Sequence, residues 1–96
     1  MLFHSDVAER YLSQTPFALA LERIAEAKIY AGYSFRRPIL DIGCGEGLFA
    51  ERVFAEPIDV GIDMNSLELA RAAELGAYMK LSCCSALNIP QPDNTF

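Results

Sequence analysis

The sequence predicts an α/β fold built on a parallel sheet with flanking helices. Three short apolar runs, "PILDI" (38–42), "PIDVGID" (57–63) and "AYMKLS" (77–82), read as strands. Helical stretches lie between them. Strands and helices therefore alternate, the pattern of parallel βαβ units with right-handed crossovers. A further observation places the chemistry: Gly43, Gly45 and Gly47 follow the first strand at once.

"SDVAERYLS" (5–13) reads as a short helix capped by Ser5. In "TPFALALERIAEAKIYAG", Thr15 suits an N-cap and Pro16 the first helical position. Phe17, Ala20, Leu21, Ile24, Ala27 and Ala31 recur at helical spacing, with Glu22, Arg23 and Glu26 mostly off that face. This predicts an amphipathic helix over 16–31, stopped by Gly32. "YSFRRP" breaks the pattern before the first strand. "GLFAERVFA" resumes as a helix, and the second strand is rich in β-branched residues. In "NSLELARAAELG", Asn65 caps, Glu68 answers three residues on as in a capping box, and Gly76 ends the helix. "CCSALNIPQPDNTF" is a loop with two prolines and an Asp-Asn turn signal.

Composition narrows the function. The 96 residues hold one domain at most, and 52% are hydrophobic, enough for a core. Lys and Arg number 8 against 13 Asp and Glu, a net charge of −5. That balance argues against direct nucleic-acid binding, which needs basic surface to displace counterions. No run approaches a membrane span, and "MLFHSDVAER" lacks the apolar stretch of a signal peptide. Cys44, Cys83 and Cys84 make a poor disulfide framework and point to a reducing cytoplasm. The single histidine, His4, offers no partner for a metal site or a nucleophile. Tyr11, Tyr30, Tyr33 and Phe35 read as core or lid-packing aromatics.

In doubly wound sheets, ligands sit outside the carboxyl ends of the strands. The glycine loop lies there. Asp63 ends the second strand twenty residues after Gly43, where an acid can accept hydrogen bonds from ribose hydroxyls. A nucleoside-bearing cofactor follows. The dinucleotide fingerprint G-x-G-x-x-G fits imperfectly, because Leu48 stands in its last place. Glu46 at the helix start and Asp41 close beneath would both repel a pyrophosphate. Both suit a cofactor with positive charge and no phosphate.

"ILDIGCGEG" resembles the glycine motif of class I S-adenosylmethionine-dependent methyltransferases, where an acid precedes G-x-G-x-G. "VGIDMN" is similar to their second motif, and "LNIPQPDNTF" to the segment before their fourth strand. The resemblance runs from about Arg37 to Phe96 and implies a Rossmann-like sheet in the order 3-2-1. It implies S-adenosylmethionine as cofactor and methyl transfer to a small-molecule acceptor. Gly43 and Gly45 would pack against the methionine part, with Cys44 and Gly47 completing the loop and Asp41 assisting directly or through water. Asp63 would hold the ribose hydroxyls and Met64 would lie against the adenine. Ser85 falls where many members carry an Asp for the adenine amino group, and Ala86 follows as expected. A neutral serine accepts a weaker hydrogen bond than a carboxylate.

In the family the sheet continues past this point, and the acceptor-binding residues mostly follow. The expectation is therefore an N-terminal part of such an enzyme. Residues 1–35 would form a helical cap or lid, and residues 36–96 an incomplete cofactor-binding domain. The first strand would expose an unpaired edge open to self-association. No catalytic residue is named. Two other readings remain: a nicotinamide-dependent oxidoreductase domain, which shares the βαβ unit and the distant acid, and a non-enzymatic remnant or interaction module. Each residue also has a plainer role. The glycines could merely turn strand into helix, Cys44 could fill a tight loop, and Met64, Cys84 and Ser85 could be ordinary packing or loop residues.

Overall fold

The expected elements form in the expected order. The computed structural model describes residues 2–13 and 15–96. It contains α1 (Val7–Leu12), α2 (Phe17–Ala31), β1 (Leu40–Ile42), α3 (Leu48–Val53), β2 (Ile58–Asp63), α4 (Ser66–Leu75) and β3 (Tyr78–Cys83). The three strands make one parallel sheet in the order β1-β2-β3, with helices against it. This is a Rossmann-like α/β arrangement, the fold class that the alternating strands and helices predict.

Central position explains the composition of β2. Val60 pairs with Leu40 on one side and Lys80 on the other, and Ile58, Val60, Gly61 and Ile62 are all buried. A strand buried on both faces reads as a continuous apolar run. Among the described residues β1 has only β2 as a neighbour, and Ile42 is 58% exposed.

Helix α4 is locked to the end of β2 by its cap. Asn65 Oδ1 accepts from the backbone N–H groups of Leu67 (3.0 Å) and Glu68 (3.2 Å). The reciprocal half of the expected capping box is replaced: Asn65 N–H donates to Asp63 Oδ1 at 2.8 Å, not to Glu68. Asp63 lies two residues away and reaches the N–H first, which frees the Glu68 side chain to turn elsewhere.

The N-terminal caps differ from expectation. Asp6, not Ser5, precedes α1, and its carboxylate accepts from Arg10 Nε (2.9 Å) instead of capping the backbone. Pro16 stands at the N-cap of α2 rather than at the first helical position. The Thr15 hydroxyl instead accepts a hydrogen bond from Arg52 Nη1. Along α2, Ala20 and Ala27 are buried and Ile24 partly so, whereas Phe17 and Leu21 are exposed. The small side chains mark the close approach; the large ones lie outside it.

One core joins Tyr11 of α1 and Ala20 and Ala27 of α2 to Val53, Phe54, Ile58 and Tyr78. Helix α1 packs on both α2 and α3. Arg52 reinforces this joint. It is only 7% exposed, and its guanidinium lies 4.9 Å from the centre of the Tyr11 ring. No described helix is long and apolar enough to cross a membrane.

Candidate functional site

The glycine loop turns the chain from β1 into α3. Gly43, Gly45 and Gly47 all adopt positive φ (70°, 59° and 80°), a conformation that residues with a Cβ rarely adopt. At Gly47 the need is also steric. A Cβ there would meet the Tyr78 ring at 3.1 Å and the Ala72 methyl at 3.2 Å. The loop closes over the end of β2: Gly43 N–H and Cys44 N–H both donate to Ile62 O at 2.9 Å.

Asp63 organises the loop from below. Its Oδ2 accepts from Gly45 N–H at 3.0 Å while Oδ1 accepts from Asn65 N–H. One carboxylate thus ties the glycine loop to the start of α4. Cys84 N–H donates to Asp63 O at 3.1 Å and brings the segment after β3 alongside.

These contacts create a pocket of 250 Å³ lined by Ile42, Gly43, Ile62, Asp63, Met64, Cys84 and Ala86. It sits at the carboxyl ends of the strands, where ligands bind in such sheets. Four of the residues singled out from the sequence meet here: Gly43, Asp63, Met64 and Ala86. Met64 is 75% exposed and offers a bare apolar surface.

The other sequence-derived positions lie elsewhere. Asp41 does not line this pocket. It lines a second cavity, bounded in part by Tyr30, Phe35 and Phe49, and its Oδ2 accepts a hydrogen bond from the Tyr78 hydroxyl. Gly45 and Gly47 form the loop but not the pocket wall. Cys44 is half-buried, with Sγ 3.1 Å from where a Cβ on Gly61 would stand. Ser85 Oγ accepts from Leu87 N–H at 3.1 Å, a local turn, and Ser85 is absent from the pocket lining.

Charge around the loop is mostly negative. Burial holds the Asp41 carboxyl above its ordinary range; the Tyr78 hydrogen bond opposes this and the Asp63 charge adds to it. Burial also pushes the Cys44 thiol up to about 11, with Asp41 and Asp63 contributing. Glu68 Oε2 is 2.8 Å from where a Cβ on Gly45 would lie, so a further carboxylate borders the loop. Glu46 pairs with Arg71 of α4 at 3.6 Å. Helix α3 has only six residues, and its N-cap Gly47 provides no side-chain cap. Such a surround disfavours a pyrophosphate and favours a cation.

Sequence reasoning missed two residues of this region. Glu68 carried only a capping signal, and Tyr78 read as an ordinary strand residue. Neither leaves a local pattern, because their partners are Gly45, Gly61 and Asp41, far off in the chain. Compared with known protein families, curated proteins and solved structures, the chain matches none.

Proposed function

We propose that the chain binds S-adenosylmethionine, as the cofactor-binding part of a class I methyltransferase acting on a small molecule. The observation that carries this reading is the pocket at the strand ends where Gly43, Asp63, Met64 and Ala86 meet. The sign of the surrounding charge supports it, as does the resemblance of the three sequence segments to that family.

The residues present fit the cofactor in part. Each Asp63 oxygen keeps acceptor capacity beyond its one backbone bond, enough for two ribose hydroxyls. Met64 offers a face for adenine, and Ser85 Oγ retains one acceptor site. Gly43 and Gly45 carbonyls are the natural receivers of the ammonium group. Asp41 acts from beneath through its charge rather than by contact. At 250 Å³ the pocket is below the roughly 300–1,000 Å³ typical of a drug-sized ligand, so it suits the nucleoside, with the methionine part over the glycine loop. When bound, the cofactor supplies a methyl group on a sulfonium, open to in-line transfer to a nucleophile. The chain's own residues bind and orient; none is assigned a catalytic role.

The three free cysteines fit a reducing cytoplasm. The open edge of β1 offers a surface for self-association, which size-exclusion chromatography would detect. The function itself is tested by calorimetric titration with S-adenosylhomocysteine beside NADH. Saturable NADH binding with no heat from S-adenosylhomocysteine would overturn the reading in favour of an oxidoreductase domain.

A further inference from the structure

The second cavity has a chemistry of its own. It is a half-open cleft of 140 Å³ beside β1, with Tyr30, Phe35, Phe49 and Phe54 among its walls. The rings form a chain of near-perpendicular contacts. Tyr30 and Phe49 have centroids 5.4 Å apart, Tyr30 and Phe35 6.2 Å, and Phe35 and Phe54 6.1 Å. Aromatic walls alone would accept any apolar group. They also attract a cation placed over a ring face.

Asp41 decides between these. Asp41 is part of the same wall, and no basic residue lines the cavity. Oδ2 has the Tyr78 hydroxyl as its donor, whereas Oδ1 accepts no hydrogen bond among the described residues. An acid beside aromatic rings favours a cation over a neutral apolar group of the same shape. Volume limits the ligand further. The cavity is well below the roughly 300–1,000 Å³ of a drug-sized site, so it takes a head group rather than a whole large molecule.

We propose that this cavity is a binding site for a small alkylammonium group, held by the Tyr30, Phe35 and Phe49 rings and by the Asp41 carboxylate. The proposal does not depend on the cofactor reading. None of the cavity's lining residues lies in the pocket of Gly43, Asp63 and Met64.

The test is a chemical-shift titration of the 96-residue chain with choline. Its neutral isostere, 3,3-dimethyl-1-butanol, is the comparison. Choline is expected to shift the amides of Asp41 and Phe49 saturably, and the isostere to bind at least about tenfold more weakly. Asp41→Asn should weaken choline by a similar factor with the spectrum otherwise intact, and Phe49→Leu should weaken it too. Equal binding of choline and the isostere would make the cavity a mere apolar packing surface and overturn the proposal. So would the absence of any saturable shift with choline. The wild-type comparison stands even where a variant fails to fold. A parallel titration with S-adenosylhomocysteine reports on the other pocket, so failure of one reading is distinguishable from failure of the other.

Discussion

Tyr78 donates its phenolic hydrogen to Asp41 Oδ2, so a side chain from β3 reaches across β2 to β1. Its ring occupies the space above Gly61 and touches the wall of the glycine loop at Gly47. The pair is the floor of the loop. Asp41 also lines the aromatic cavity beside β1, so its protonation sets the charge there.

Asp41→Asn should reveal the cost of that charge. The folded-state pKa of Asp41 is raised above its ordinary 3.8, chiefly by burial. The wild type therefore loses stability as pH rises from about 3.8 through the folded value. Asparagine does not titrate, and its oxygen still accepts the Tyr78 bond. Urea unfolding across pH should show a constant difference below about 3.8. Above it the difference should move in the variant's favour and then level off. A difference that stays flat with pH would show that Asp41 is solvated like a surface acid.

Gly61→Ala is expected to destabilise by about 1–3 kcal/mol through overpacking. A Cβ there would stand 2.7 Å from the Tyr78 ring and 3.1 Å from Cys44 Sγ. Truncating the ring should relieve the clash, so Gly61→Ala and Tyr78→Leu should couple in a double-mutant cycle. Additive effects would mean that the ring moves aside without cost.

Asn65→Ala removes the acceptor for two N–H groups at the start of α4. The expected loss is about 0.5–2 kcal/mol, read by denaturant unfolding. Because Asn65 N–H still reaches Asp63, the glycine loop should keep its tie to β2. Loss of ligand binding in this variant beyond its loss of stability would contradict that separation.

The thiols should differ in reactivity. Cys44 is half-buried with its thiol raised to about 11, whereas Cys83 is exposed on β3. Alkylation by iodoacetamide at mildly alkaline pH, followed by peptide mass spectrometry, should label Cys83 well before Cys44. Faster labelling of Cys44 would mean that the loop opens more readily than its packing on Gly61 allows.

These residues also show what was legible in the sequence. Alternating strands and helices predicted the parallel sheet because each element's pattern is local. The Asn65 cap was legible for the same reason. The grouping of Gly43, Asp63, Met64 and Ala86 follows from strand ends meeting in a parallel sheet, a rule of topology rather than of side chains. Asp41 could be placed beneath the loop, but not facing an aromatic cavity, because that depends on Tyr30, Phe35 and Phe49 folding over β1. Glu46 read as a charge at the helix start, but its ion pair with Arg71 of α4 was not legible, because it joins distant parts of the chain. Thr15 carried a cap signal, but a buried arginine outcompeted the helix for its hydroxyl.

Cofactor binding rests most directly on calorimetry of the chain with S-adenosylhomocysteine, repeated on Asp63→Asn. The expected result is saturable binding to one site, weakened at least about tenfold by the substitution, with far-ultraviolet circular dichroism unchanged. Absence of binding to the wild type, or identical affinity in Asp63→Asn, would contradict a nucleoside held at the end of β2.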